Sequence, residues 1–178
     1  ENFNFPYAAI SIRDFWRRWH ISLSTFFRDY VYKPLGGSKV ANGLTYRNLL
    51  IVFFITGLWH GASWNFIIWG LFHGSFLLIE RLGFDKQLRR MPDLIGHIYT
   101  LLVVMIGWVF FRCENLGMAM VVLQKMAALL PENTGVFSIA YFMHTKTWIT
   151  LILAIVFVFP VHKIALPDLH LRPGLIYD

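Results

Sequence analysis

The longest apolar stretch of the chain runs from Asn48 to Ile79, which contains no Asp, Glu, Lys or Arg. As one helix its 32 residues would extend roughly 48 Å, against a hydrocarbon core of roughly 30 Å. The stretch is too long for one ordinary membrane span and too short for two full ones. Because Arg47 precedes it and Arg81 follows it, the positive-inside rule places both ends on the cytoplasmic side. The pattern therefore predicts a broken helical hairpin over 48–79, with its bend near "HGASWN".

A second pattern, over residues 11–32, has apolar positions at spacings of three and four, which predicts one amphipathic helix. Ser11 with Asp14 three residues later has the form of a capping box, and Pro34 with Gly36 stops the helix. Arginines lie on the face opposite the apolar residues, so we expect this helix to lie in the membrane interface. The apolar face comprises Ile12, Phe15, Trp16, Trp19, Leu23, Phe26, Phe27 and Tyr30.

Two further spans are predicted over residues 94–111 and 141–159, joined by an external loop and followed by an internal tail, 160–178. The predicted fold class is all-α: a polytopic membrane helical bundle with an interfacial amphipathic helix and a broken or re-entrant helical hairpin. Because the chain starts at Glu1 without an initiator Met, we expect residues 1–178 to be the later part of one longer membrane domain.

Composition and charge agree with a membrane protein. Hydrophobic residues make up 57% of the chain and charged residues 15%, whereas soluble domains average about 45–50% and 25%. The net charge of +6 comes from basic residues that flank the apolar stretches. This arrangement follows from the positive-inside rule and from anionic lipid, so it argues against a nucleic-acid partner.

Histidine occurs twice in the hairpin within almost the same frame, as His60 in "GLWHG" and His73 in "GLFHG". The flanking glycines suit close helix packing. Packing does not require an ionisable side chain, which is costly in hydrocarbon, so His60 is the leading candidate for a proton acceptor near neutral pH. For His73, nearer the basic flank, a structural role is as good an explanation. His20, at the border of the amphipathic helix, is by itself better explained as structural.

Other kinds of site are weaker. His20, His60 and His73 lack the helical spacing of metal ligands and the single cysteine is remote, so we expect no metal. Ser63 in "GASW" lacks the context of a serine nucleophile. Arg13, Arg17 and Arg18 are most simply a solvated edge facing lipid headgroups, and the alternative is that they attract an anionic substrate.

Two segments taken together carry a family resemblance: "SIRDFWRRWHISLSTFFRDYVYKPLGGSK" (11–39) and "TYRNLLIVFFITGLWHGASWNFIIWGLFHG" (45–74). They closely resemble the membrane-bound O-acyltransferase (MBOAT) family, within it the bacterial alginate and peptidoglycan O-acetyltransferases, and more distantly the D-alanyl transfer proteins. The likeness covers about residues 1–80. It implies that His60 is the active-site histidine, that His20 is the second signature histidine, and that His73 has a supporting role, together with Ser63 and Asn65.

The resemblance also implies a function. Such proteins are multi-pass proteins of the bacterial inner membrane, with a funnel that reaches the active-site histidine. The expected activity is transfer of an acetyl or other acyl group from a cytoplasmic thioester toward an exported polysaccharide, as in alginate biosynthesis, or toward a periplasmic acetyltransferase partner. The donor would be acetyl-CoA or an acyl-carrier thioester, with no bound cofactor. His60 would be the general base, His20 would orient the donor, and Arg13, Arg17 and Arg18 would attract it.

Two alternatives stay open at this stage. A non-enzymatic membrane transporter or scaffold also uses broken helices at mid-depth. A lipid or protein O-acyltransferase of the same superfamily would use a fatty-acyl donor in place of an acetyl donor.

Overall fold

The computed structural model describes residues 1–127 and 144–158. All regular secondary structure in this part of the chain is helical. The chain divides into two compact units, and of the helices in the described residues only the last belongs to the second unit. The elements are a 3₁₀ turn (Pro6–Ala8), α1 (Ile12–Arg18), α2 (Ile21–Phe27), a π-helical turn (Arg28–Tyr32), α3 (Asn42–His60), α4 (Trp64–Ile79), a second π-helical turn (Glu80–Phe84), α5 (Asp85–Leu88), α6 (Asp93–Arg112), α7 (Leu116–Met126) and α8 (Thr145–Val158).

The all-helical prediction is confirmed for the described residues. Two stretches among them are long and apolar enough to cross a membrane, Trp64–Leu88 and Asp93–Arg112. The second of these contains the predicted span 94–111. The predicted span 141–159 is described only over α8, and the predicted external loop and the tail 160–178 lie outside the described residues. How many helices cross the bilayer stays a prediction.

Helices α3 and α4 form an antiparallel hairpin, and the chain between them is non-helical over residues 61–63. The two limbs approach so closely that a Cβ atom on Gly70 would clash with the carbonyl oxygen of Phe53. On Gly57 it would clash with the carbonyl oxygen of Phe66. Small residues at these two positions therefore allow the backbones to meet, as in other close helix pairs.

The first limb of the hairpin is longer than predicted, because α3 begins at Asn42 and not at residue 48. Arg47 fits within its first turns, where its guanidinium donates a 3.0 Å hydrogen bond to Oδ1 of Asn48. With 19 residues, α3 is about 28 Å long, close to the thickness of the hydrocarbon core. The argument that the hairpin is too short for two crossings therefore does not hold.

The prediction of one continuous helix over 11–32 is wrong. The chain breaks after α1, where Trp19 is extended and His20 has left-handed backbone angles (φ 46°, ψ 53°). Residues near the N-terminus satisfy the backbone groups that the break frees: Asn4 donates from its N–H to the carbonyl of Arg18, and Ile21 donates to the carbonyl of Asn2, both at 2.9 Å. Periodicity along one segment contains no information about these partners.

The aromatic face of an interfacial helix would lie against lipid, but the aromatic face of α1 is buried in the protein. Ile12 is fully buried, Phe15 is 2% exposed, and the Trp16 ring packs edge-on against Phe53 of α3. The α1 face is part of the protein core, because α3, α4 and α6 offer it a complementary apolar surface. Large aromatic side chains are exposed only farther along the segment, at Phe26 and Tyr30.

Candidate active site

His60 is the last residue of α3, and the break that follows fixes its position. Gly61 leaves the helix with an extended backbone and donates its N–H to the carbonyl of Leu58 at 3.2 Å. Helix α4 then starts with Ser63 as its N-cap, whose Oγ accepts from the N–H of Asn65 at 3.3 Å. The imidazole therefore projects from a helix end and not from the middle of a packed helix.

Aromatic rings surround the His60 imidazole without closing it off. Trp69 and Phe111 each place their ring centroid 5.0 Å from it, edge-on, and Trp59 lies 4.7 Å away. His60 is nevertheless partly exposed. A neutral imidazole with an apolar wall on one side and an open side for a substrate has the surroundings that a proton-transfer group needs.

The fold brings His20 to the same place. Its ring lies 6.3 Å from that of Trp59, so Trp59 contacts both histidines, which are forty positions apart in the sequence. The left-handed turn at His20 directs the chain into α2. Its Nδ1 is buried and has no hydrogen-bond partner among the described residues.

His73 lies in a different environment. It is 1% exposed, enclosed by the rings of Trp16, Trp69 and Phe72 at 5.2, 5.4 and 5.5 Å. A Cβ atom on Gly107 of α6 would clash with its Nε2. This burial is what a structural role for His73 requires. Its Nδ1 has no hydrogen-bond partner within residues 1–127 and 144–158.

Ser63 and Asn65, the other suggested supporting residues, make structural contacts. Ser63 caps α4, and the buried Asn65 donates from Nδ2 to the carbonyl of Cys113 at 2.5 Å. This bond ties the start of α4 to the end of α6, beside Phe111. Both residues stabilise the start of α4 after the chain break at residues 61–63. The contacts described for them do not involve the imidazole of His60.

The three arginines singled out from the sequence separate in the structure. Arg18 forms an ion pair with Asp14 at 2.9 Å. Arg13 and Arg17 line an open cleft together with Arg81, which from the sequence alone is only a basic flank of the hairpin. The sequence signal that points to Arg81 is its position directly after the apolar stretch, beside an acidic residue.

That acidic residue, Glu80, was missed altogether. Its carboxylate is 1% exposed and accepts the backbone N–H groups of Ile12 at 2.6 Å and Arg13 at 2.9 Å. These are donors that a helix start leaves without partners, so Glu80 holds α1 against the end of α4. Within the described residues, no three His, Cys, Asp or Glu side chains come together as a metal site would require.

Comparison with known proteins gives a family match over most of the first unit. The model of the MBOAT, membrane-bound O-acyltransferase family, matches residues 1–118. The peptidoglycan O-acetyltransferase of Helicobacter pylori is 48% identical over 132 residues, which cover 72% of this chain and 25% of that protein. The family match over residues 1–118 includes His20, His60 and His73.

Two other relatives match stretches of similar length. The probable alginate O-acetylase AlgI of Azotobacter vinelandii is 53% identical over 120 residues, covering 67% of this chain and 24% of that protein. The teichoic acid D-alanyltransferase of Bacillus subtilis is 32% identical over 120 residues, covering 64% and 30%. The chain spans about a quarter of the length of the curated O-acetyltransferases that it matches.

Proposed function

Because this chain belongs to the membrane-bound O-acyltransferase family, we propose that it carries the catalytic histidines of a membrane-embedded O-acyltransferase. The whole protein transfers an acetyl or other acyl group from a cytoplasmic thioester, acetyl-CoA or an acyl-carrier thioester, to a hydroxyl of a cell-envelope polymer or of a periplasmic partner. It does so as a multi-pass protein of the bacterial inner membrane. The relatives named for peptidoglycan, alginate and teichoic acid support this acceptor class.

One observation carries the proposal: His60 is partly exposed at a helix end, while the rings of Trp69 and Phe111 pack against its other sides. In the reaction, the imidazole accepts the proton of the acceptor hydroxyl as its oxygen attacks the thioester carbonyl. The C–S bond then breaks, and the imidazolium protonates the leaving thiolate. The proton balance closes, and the histidine returns to its neutral form.

His20 acts beside this base. Through their shared neighbour Trp59 the two histidines lie on one site, and the unpartnered Nδ1 of His20, when it carries the ring proton, donates to the thioester carbonyl or its oxyanion. A preorganised group aimed at developing charge accelerates acyl transfer, typically by 10²-fold or more. We assign His20 the role of orienting the donor.

The decisive experiment changes His60 in the full-length protein. His60→Ala and His60→Gln should both lower acyl ester formation on the acceptor by about 10²–10⁴-fold, the usual contribution of a general base. The protein level in the membrane should stay normal. The measurement is the ester content of the exported polymer together with immunodetection of the protein, with the exposed His144→Ala as the control substitution.

The His60→Gln arm separates catalysis from transport. A transporter or scaffold needs only a polar group at this position and would keep its function with glutamine. Normal ester content in His60→Gln would therefore contradict the proposed base. The mass of the transferred acyl group decides between an acetyl donor and a fatty-acyl donor.

A further inference from the structure

A short non-helical segment, residues 2–4, is hydrogen-bonded to both sides of the turn between α1 and α2. Before the turn, Asn4 donates its backbone N–H to the carbonyl of Arg18 at 2.9 Å. After the turn, the carbonyl of Asn2 accepts the N–H of Ile21, also at 2.9 Å. We call this segment the brace. Because the brace contacts the chain before and after the turn, it fixes the direction in which the chain passes from α1 to α2.

The side chain of Asn2 supplies the cap that α2 lacks locally. The first residues of a helix leave their N–H groups without partners, and a Ser, Thr, Asp or Asn directly before the helix usually accepts from them. Helix α2 has His20 at this position, and in the described structure His20 makes no side-chain cap hydrogen bond. Instead Oδ1 of Asn2 accepts from the N–H of Ser22 at 3.0 Å and from the Ser22 hydroxyl at 2.9 Å. The capping role is therefore separated from the histidine.

The backbone of His20 needs such support, because its angles are left-handed (φ 46°, ψ 53°). This conformation costs free energy for a residue with a Cβ atom, and it persists where the surrounding structure imposes it. Among the described residues other than glycine, only Phe5 and His20 have a positive φ. Phe5 directly follows the brace, and His20 forms the turn that the brace holds. The two unfavourable conformations therefore lie where the brace meets the rest of the chain.

The brace also contacts the aromatic rings of the site. Phe3, between the two asparagines, packs edge-on against Trp19 with ring centroids 4.9 Å apart. Its ring lies 6.1 Å from that of His20, which also has Trp59 at 6.3 Å. The position of the His20 imidazole thus depends on the brace through the backbone and through a ring contact.

We propose that Asn2 is a positioning residue for acyl transfer: by capping α2 in place of His20, it holds the imidazole of His20 in the site that contains His60. The inference rests on the proposed function, in which His20 orients the donor. Asn2 acts through the turn, since its side-chain oxygen is occupied by Ser22. These bonds are exposed, so their loss should change the global stability little and the geometry of the turn more.

The test compares Asn2 variants of the full-length protein in cells. The measurement is the rate at which labelled acetate appears as ester on the exported polymer, per molecule of protein detected in the membrane. Asn2→Ala should lower this rate by about 3- to 10-fold, the factor that corresponds to one uncharged hydrogen bond. Asn2→Asp should keep a rate close to that of the wild type, because a carboxylate accepts the same N–H and is favoured at a helix N-terminus.

Asn115→Ala is the matched control. Asn115 also caps a helix with its side chain, since its Oδ1 accepts the N–H of Met118 at 2.9 Å, and this bond stays within the start of α7. Its loss should leave the rate per molecule unchanged. A wild-type rate in Asn2→Ala, equal losses in Asn2→Ala and Asn115→Ala, or no rescue by Asn2→Asp would overturn the proposal.

A double variant tests whether Asn2 acts through His20. His20→Ala alone should lower the rate by about 100-fold, the contribution expected of a group aimed at the developing oxyanion. Adding Asn2→Ala should then lower it no further, because residues that act as one unit are not additive. A further loss as large as that of Asn2→Ala alone would mean that Asn2 acts elsewhere, and the proposal would fail.

Hydrogen exchange separates this inference from the proposed function. In Asn2→Ala, the peptide that contains Ser22 should exchange its amide hydrogens faster than in the wild type, while α6 should be unchanged. This result does not depend on activity. A wild-type rate in His20→Ala would refute the role of His20 in the reaction, and exchange would still report on the cap. Unchanged exchange around Ser22, or an equal rise in α6, would refute the cap itself.

Discussion

The two histidine frames of the hairpin, "GLWHG" at 57–61 and "GLFHG" at 70–74, are nearly identical in sequence and have different surroundings. The first glycine of each frame has the same role, since both Gly57 and Gly70 lie against a backbone carbonyl of the opposite limb. The histidines differ. His60 ends a helix and is partly exposed, whereas His73 lies within α4 and is 1% exposed.

The difference shows that the fate of a histidine in an apolar segment depends on what packs over it. Gly61 has an extended backbone and lets the chain leave the helix, so the side of His60 beyond the helix end stays open. Gly74 remains helical, and a Cβ atom added to it would lie 3.0 Å from Cβ of Phe53. Helix α6 then covers His73 through Gly107. The first frame therefore leaves the imidazole of His60 accessible, whereas the second buries the imidazole of His73 in the core.

The largest predicted effect concerns the feature that the frames share. Gly70→Ala places a methyl group against the carbonyl oxygen of Phe53. A backbone atom cannot move away by a rotamer change, so the limbs must separate. We expect a loss of about 3 kcal/mol or more, at the upper end of overpacking costs. The shift in the thermal unfolding midpoint of the full-length protein in detergent measures this loss of stability.

Gly43→Ala is the matched control for Gly70→Ala. Gly43 lies in the first turn of α3, and a Cβ atom there would meet nothing within 4 Å. Alanine is favoured over glycine in helices, so this variant should be neutral or more stable by up to about 1 kcal/mol. If both variants unfolded alike, the close approach of the two backbones would be refuted.

The second prediction tests the difference between the histidines. His73→Ala leaves a cavity among Trp16, Trp69 and Phe72 and should lower stability by about 2 kcal/mol, the low end for large-to-small changes in a core. Removing the unpartnered Nδ1 offsets part of the loss. Transfer per folded molecule should stay within a few-fold of wild type. Unfolding in detergent measures the stability of His73→Ala, and a transfer assay measures its specific activity. Both are compared with His60→Ala.

His60→Ala should show the opposite pattern, with stability retained and activity lost. A loss of specific activity in His73→Ala as large as that in His60→Ala would mean that the buried imidazole takes part in the chemistry. The contrast between the two frames would then be wrong.

Much of the hairpin was predictable from its own residues. The uncharged stretch, its basic flanks and the glycine frames indicate two closely packed limbs and draw attention to His60. These signals are local in sequence and depend on side-chain size and charge. The start of α3 was less predictable. Arg47 lies within the helix because its guanidinium donates a hydrogen bond to Asn48, whereas a prediction based on uncharged stretches places Arg47 outside the helix.

What could not be predicted depends on contacts distant in the sequence. The break at His20 is satisfied by residues 2–4, the burial of His73 requires Gly107, and the start of α1 is capped by Glu80. Each contact joins residues at least fourteen positions apart, so helical periodicity carries no trace of it. The cleft of Arg13, Arg17 and Arg81 was hidden for the same reason.

The smallest predicted effect concerns the break itself. Ser63 caps α4 by accepting the N–H of Asn65, and Ser63→Ala removes this acceptor. N-cap losses range over about 0.5–2 kcal/mol. We expect about 0.5 kcal/mol, because the bond is long, at 3.3 Å, and Asn65 also holds the helix start through Cys113. Ser75→Ala, an exposed change within α4, is the control and should be neutral. Since Ser63 lies three residues beyond His60, specific activity gives a second measurement. A drop in activity much larger than the change in stability would mean that the position of the α4 start controls His60, whereas parallel small changes would leave Asn65 as the residue that fixes the break.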